Sequence, residues 1–254
     1  MLGKLLQHPL TRGLSVDDPL TTQLRQQIIA SKPFLKKIYS EWYQAIQAAL
    51  GDDPKKILEL GSGAGFFKSY CPQVISSEVF HTPGVDLIAD ATRLPLPENS
   101  LDAIVMTDVF HHIPNVSRFL GESCRCIKPG GKMVMLEPWP TAWSKWVYTN
   151  LHHEPFIPDG SWEIPNSGPL SGANGALPWI VFERDREIFS ERFPHLKITS
   201  IKPLMPIAYL LSGGVSMRTL MPGWMYKPVR AFEKLSGQQH WAMFALIELE
   251  LVYE

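Results

Sequence analysis

Three cysteines in 254 residues are too few, and odd in number, for a disulfide framework. Cys124 and Cys126 stand in a C-x-C spacing that on a helix points the two thiols to different sides, and no second pair completes a zinc site. A reducing, cytoplasmic setting is the expectation. Charge of one sign is lacking too. Lys and Arg number 24 against 25 Asp and Glu, for a net charge of −1 with the signs interspersed, which removes the electrostatic case for nucleic acid. No apolar run approaches the ~18 residues of a membrane-spanning helix, and the opening stretch 1–9 is too short in its apolar part for a signal peptide. Internal repeats are absent. What is present is 45% apolar residues and a length that suits one large α/β domain with an insertion, or two small domains.

The chain is organised around Ile57-Leu58-Glu59-Leu60-Gly61-Ser62-Gly63-Ala64-Gly65-Phe66-Phe67. An apolar run reads as a buried strand, ends near an acid, and enters a turn with three glycines spaced two apart. Glycine suits such a turn because a residue without Cβ reaches positive φ and lets a ligand approach the backbone. A short helix is expected from Phe66-Phe67-Lys68. The dinucleotide fingerprint is G-x-G-x-x-G, with pyrophosphate on the helix N-terminus. Here the pattern is E-x-G-x-G-x-G, and the carboxylate of Glu59 would repel a pyrophosphate. It suits a ligand with positive charge, such as an ammonium or a sulfonium.

At these residues the sequence resembles the class I S-adenosylmethionine-dependent methyltransferases, methyltransferase type 11-like, and further segments carry the resemblance in order. Glu78 closes a strand expected over 73–79 and lies about twenty residues after Glu59. A lone strand-end glutamate is more often merely solvated, but at this distance from the glycine loop the resemblance implies that it accepts the ribose hydroxyls. After a strand at 85–90 comes Asp90-Ala91-Thr92-Arg93-Leu94-Pro95-Leu96-Pro97, similar to the family stretch whose aspartate accepts from the adenine amine. An apolar fourth strand at 103–107 leads into Asp108-Val109-Phe110-His111-His112-Ile113-Pro114, which in the family passes the methionine part of the cofactor and the substrate entrance. A helix capped by Asn115 follows, then Ile127-Lys128-Pro129-Gly130-Gly131 turns into a fifth strand at 132–137.

The implied fold class is α/β: a Rossmann-like seven-stranded, mostly parallel sheet with helices on both faces, an antiparallel last strand and a cap insertion after strand 5. Residues 1–254 read as a single methyltransferase domain. It comprises an N-terminal helical segment at 1–51, a cofactor-binding core at 52–140, a substrate cap at 141–190, and C-terminal strands and helix at 191–254. A helix is expected over 20–30, and Ser31-Lys32-Pro33 reads as the cap of a second, ending at Gly51. Its Tyr39 or Tyr43 is placed to close over the cofactor. Residues 138–190 hold Trp139, Trp143, Trp146, Tyr148, Trp162 and Trp179, show little periodicity between Pro155 and Pro178, and read as an aromatic cap over the acceptor. Helices are expected at 182–193 and 228–235, and strands at 196–204 and 241–253. The apolar stretch at 204–226 suits core burial more than contact with a lipid surface.

The resemblance implies S-adenosyl-L-methionine as cofactor, S-adenosyl-L-homocysteine as product, and Glu59, Gly61, Ser62, Gly63, Gly65, Glu78, Val79, Asp90, Ala91, Thr107 and Asp108 as the cofactor-binding set. Methyl transfer needs alignment and exclusion of water more than covalent help, and an oxygen acceptor often needs a base. The catalytic candidates are His112, His111, His153 and Glu154, with His112 preferred because it starts the segment entering the site. No metal site is expected, since the histidines match no ligand spacing. The acceptor is expected to be a small molecule, methylated on O or N, with a sugar or lipid-linked intermediate one compatible class. No nucleic-acid partner and no transmembrane segment are expected. A catalytically silent cofactor-binding or scaffold protein of the same fold is the alternative, and a nicotinamide oxidoreductase is disfavoured by Glu59 and the glycine spacing.

Overall fold

The computed structural model describes residues 19–51, 54–63, 66–152, 154–165, 168 and 171–253. Gly65 and His153 lie outside the described residues. Helices α1 (Pro19–Ser31) and α2 (Pro33–Leu50) open the chain. Phe34, Leu35, Ile38, Tyr39, Trp42, Tyr43, Ile46 and Leu50 of α2 are buried, the repeat of a helix with one face on a sheet. Gly51 takes φ +77° at its end. Ser31 does not cap α2: it belongs to the last turn of α1, where its hydroxyl donates to the Ile28 carbonyl. Lys32 holds the cap position without a side-chain cap, and its ammonium reaches instead to the carbonyls of Gly214 and Met217.

Seven strands follow: β1 (Ile57–Leu60), β2 (Val74–Glu78), β3 (Leu87–Ile88), β4 (Leu101–Thr107), β5 (Ile127–Pro138), β6 (Leu196–Leu204) and β7 (Phe244–Leu251). They form one sheet in the order β3-β2-β1-β4-β5-β7-β6, parallel from β3 to β5, with β7 antiparallel to both β5 and β6. The expected Rossmann-like sheet with its antiparallel last strand is therefore present. The order reverses at β1 and β4, whose carboxyl ends part there, and such a crevice is where open α/β sheets bind ligands.

Strand alternation divides the core. Leu58, Leu60, Ile104, Met106, Met133 and Met135 face α3 (Val116–Cys126), packing with its Phe119 and Leu120 and with Phe182. Ile57, Ala103, Val105, Val134 and Leu136 face α2. The Asn115 side chain accepts from the Arg118 amide at the start of α3, as its position in the sequence predicts.

Several expected elements differ. The helix after the glycine loop is a single 3-10 turn, Phe67–Ser69. The third strand is only two residues long, because Asp86 turns its carboxylate back onto the amide and hydroxyl of Ser76. β5 begins at Ile127, and its residues 128–131, with the proline and glycines, bulge out opposite the step from Leu101 to Ala103 of β4. Helix α4 (Ala142–Asn150), for which the sequence predicts no element, opens the segment read as the cap and is started by a capping box between Thr141 and Ser144. The expected helix at 182–193 is split into a turn (Leu177–Trp179), a π-helical turn (Ile180–Arg184) and α5 (Arg186–Arg192). In the late apolar stretch, α6 (Ala208–Ser212) contributes Ala208 to the core beside Met205, while Leu220 and Trp224 stay exposed. Helix α7 (Tyr226–Leu235) carries a buried Arg230, paired with Glu41 and Glu233. Among the described residues no helix is long and apolar enough to cross a membrane.

Candidate functional site

The glycine loop leaves β1 and is clipped onto the end of β2. The Ser62 amide donates to the Ser77 carbonyl at 2.9 Å, the Ser77 amide donates to the Ser62 hydroxyl, and the Ser77 hydroxyl donates to the Glu59 carbonyl. The Gly63 amide donates to Glu78 Oε1 at 2.6 Å. Within the described part of this loop Gly61, at φ +61°, requires glycine twice over: a Cβ there would also stand 2.6 Å from Val109. This packing brings the loop, Glu78, and the segment leaving β4 around one cavity of about 320 Å³.

The predicted cofactor residues converge on that cavity. Glu59, Gly61, Ser62 and Gly63 line it from the loop. Glu78, Val79, Asp90 and Ala91 line it from the ends of β2 and β3. Thr107 and Asp108 line it from the end of β4. Of the catalytic candidates, His112 and Glu154 line the cavity, whereas His111 is fully buried behind it.

Burial sets the charge of these groups. The Glu59 carboxyl is pushed up to about 8 by burial and then by Glu78, against the Ser62 hydroxyl, and its Oε2 is a buried oxygen with no hydrogen-bond partner. A buried acceptor left orphaned at a cavity wall fits a ligand that brings a cation and its own donors. Glu78 is raised by burial, with the Gly63 amide opposing. Asp108, at φ +62° in the sparsely populated left-handed region, is pushed up to about 6, first by burial. Asp90 uses one oxygen to accept from the amide and hydroxyl of Thr92, an Asx turn that fixes its direction.

At the other end of the cavity lies a histidine–carboxylate cluster. His111 Nδ1 stands 2.7 Å from Glu137 Oε2, and Glu137 Oε1 accepts from the amides of Val109 and Phe110. His111 Nε2 is 3.4 Å from Glu154 Oε2, and His112 Nε2 is 3.9 Å from Glu154 Oε1. His112 Nδ1 is 2.9 Å from the Gly172 carbonyl. Burial alone would lower His111, but Glu137 and Glu154 carry it well above the ordinary imidazole range. Burial and then the charge of His111 push His112 down to about 3. Burial works against the charge of Glu154, but His111 holds that carboxyl below its ordinary range.

Some lining residues were not foreseen. Thr22, Arg25 and Ile29 of α1, and Tyr209, Val215 and Ser216 from the late apolar stretch, carry no local signal that separates them from ordinary helix and core positions. Tyr39 and Tyr43 line the cavity as suggested. The sequence places Glu137 in the fifth strand with no role of its own; an acid closing an apolar strand is the sign that it carries. The aromatic cap is corrected. From 141–190 the described lining residues include His152, Glu154, Ile164, Pro165 and Gly172, and none of the tryptophans. Trp143 donates to the Pro206 carbonyl and Trp162 to Asp185, while Trp146 is half exposed.

Residues 58–135 match the methyltransferase domain family. The demethylmenaquinone methyltransferase of Deinococcus radiodurans is 32% identical over 122 residues, which covers 40% of this chain and 51% of that protein. The malonyl-[acyl-carrier protein] O-methyltransferase of Methylococcus capsulatus is 30% identical over 103 residues, covering 33% of this chain and 38% of that protein. The chain thus spans about half the length, or less, of these curated relatives. In overall fold it is similar to geranyl diphosphate C-methyltransferase from Streptomyces coelicolor A3(2), solved with Mg2+, geranyl-S-thiolodiphosphate and S-adenosyl-L-homocysteine. The TM-score is 0.53 at 13% identity, over 97% of this chain and 87% of that one.

Proposed function

We propose that this chain, which belongs to the class I S-adenosylmethionine-dependent methyltransferases, transfers a methyl group from S-adenosyl-L-methionine to a small-molecule acceptor. The observation that carries the reading is the convergence of three acids, from the ends of three neighbouring strands, on one cavity. Glu59, with its orphaned buried oxygen, suits the ammonium end of the donor; Glu78 suits the ribose hydroxyls; Asp90 suits the adenine amine. The glycine spacing and the acid at Glu59 disfavour a pyrophosphate in the same place, since the loop lacks the G-x-G-x-x-G pattern and an ionised Glu59 would repel it.

When bound, S-adenosyl-L-methionine supplies a methyl carbon made electrophilic by its sulfonium. The protein's part is alignment and dryness. The clipped glycine loop fixes one part of the wall, and Thr22, Arg25 and Ile29 of α1 with Tyr209 supply another. We assign His112 and Glu154 to the acceptor end, with His111 positioning Glu154 from behind and Glu137 locking His111. The named relatives act on a quinone precursor, demethylmenaquinone, and on the malonyl group of an acyl-carrier protein. A small acceptor of that kind fits a near-neutral protein with a mixed polar and apolar cavity.

Calorimetric titration tests the donor: S-adenosyl-L-methionine and S-adenosyl-L-homocysteine should bind with one-to-one stoichiometry and NADH should not. Nicotinamide binding without S-adenosyl-L-methionine binding would refute the reading. Methyl transfer from labelled donor to a panel of quinone, carboxylic-acid and lipid acceptors then separates an enzyme from a silent binding protein.

A further inference from the structure

The cluster at the acceptor end is built as a ligand set, although the sequence spacing gave no reason to expect one. We propose that His111, His112 and Glu154 hold a divalent first-row transition-metal ion beside the cavity. One donor atom from each lies within 4.8 Å of the others. Two donors about 2.1 Å from one ion stand about 3.0–3.4 Å apart. His111 Nε2 and Glu154 Oε2, at 3.4 Å, already match that spacing, and His112 Nε2, 3.9 Å from the other oxygen Glu154 Oε1, closes in by side-chain rotation when an ion binds.

Two further features distinguish the cluster from an accidental group of polar residues. Each histidine has its Nδ1 against an oxygen acceptor: the Glu137 carboxylate for His111 and the Gly172 carbonyl for His112. Such outer partners fix the ring and its tautomer and turn Nε2 toward a metal. Glu137 is itself held by two backbone amides, so the support is rigid. In addition, His111 Nε2 is a fully buried nitrogen that makes no hydrogen bond and faces Glu154 Oε2 at 3.4 Å, within the same group of donors. An ion there satisfies that orphan.

Two imidazoles and one carboxylate suit Zn, Fe, Mn, Co or Ni over the oxygen-seeking Mg and Ca. Three protein ligands leave positions open, and His112 and Glu154 line the cavity. An acceptor oxygen entering one of those positions would be held and made more acidic by the ion. This role rests on the methyl-acceptor reading of the cavity, whereas metal binding itself does not.

Co2+ is the probe. The untagged full chain, stripped by a chelator, is titrated with Co2+ and followed by its visible absorption and by calorimetry. One equivalent should bind. Glu154→Gln and His112→Gln should each weaken binding about tenfold or more while remaining folded by thermal unfolding. Absence of saturable binding to the wild-type chain below about 1 mM, or binding unchanged in both folded variants, overturns the site. Titrating S-adenosyl-L-homocysteine into the same sample separates the two readings. Binding of it without Co2+ sinks only the metal site; Co2+ binding without it supports the site and sinks the donor reading.

Discussion

Glu59 should make the protein less stable as pH rises, and replacing it with glutamine should remove that loss. Its native carboxyl is pushed up to about 8 from an ordinary 4.5, chiefly by burial at the end of β1. The native value is above the unfolded one, so the stabilising contribution is fully present below the unfolded pKa and is lost as pH rises through about 8. Between pH 5 and pH 8 the unfolded chain gives up a proton that the native chain keeps. At about 1.4 kcal/mol per unit the loss accumulates to about 3 kcal/mol over that interval. Glu78, Tyr43 and Cys71 face Glu59 and stay in place in Glu59→Gln, so the difference between the two proteins isolates the one carboxyl. Urea unfolding at intervals across this range measures it. The variant should gain on the wild type by about 3 kcal/mol from the acid to the alkaline end, and should bind S-adenosyl-L-methionine more weakly throughout. A stability difference that stays constant with pH would refute the idea that this acid is a buried group waiting for a cation.

Three other outcomes follow from single residues. Gly61→Ala sets a Cβ 2.6 Å from Val109 at a positive φ, so thermal unfolding should show a loss of about 1–3 kcal/mol, and added S-adenosyl-L-homocysteine should stabilise the variant less than the wild type. Glu78→Ala removes the acceptor of the Gly63 amide and the expected ribose contact together; calorimetry should read a loss of donor affinity of about 10–100-fold. Arg230→Ala leaves Glu233, fully buried and holding the amides of Ile207 and Ala208, without its cation; urea unfolding should report about 3–5 kcal/mol, with donor affinity of the folded fraction unchanged.

What the sequence discloses about this molecule follows the range of the forces involved. The glycine loop, Glu78 and Asp90 are legible because each is tied to a neighbouring strand end, where backbone geometry dictates residue type over a few positions. The mostly parallel sheet with an antiparallel last strand is what the family resemblance implies; alternation and burial mark the strands but not their order. The tryptophan-rich stretch misleads for the converse reason. Large rings signal burial but not against what, and Trp143, Trp162 and Trp139 satisfy their burial on Pro206, Asp185 and the β7 end rather than over the cavity.

The histidine cluster lies at the far limit of that range. His111 and Glu137 are 26 residues apart in sequence, on segments that meet only because β4 and β5 are parallel neighbours in the sheet. Both of their chains leave the same edge, so the acid closing β5 lands under the turn that closes β4. Glu154 then arrives from beyond α4 and meets the two imidazoles from the cavity side. No spacing rule for a contiguous ligand motif describes such a set, because its spacing is a property of sheet topology. His111 and His112 are adjacent in sequence, and the 3-10 turn over Phe110–His112 separates their roles. One ring is anchored inward on a buried carboxylate and the other stands at the cavity wall. Both present Nε2 to a single carboxylate, which is the arrangement an ion would require.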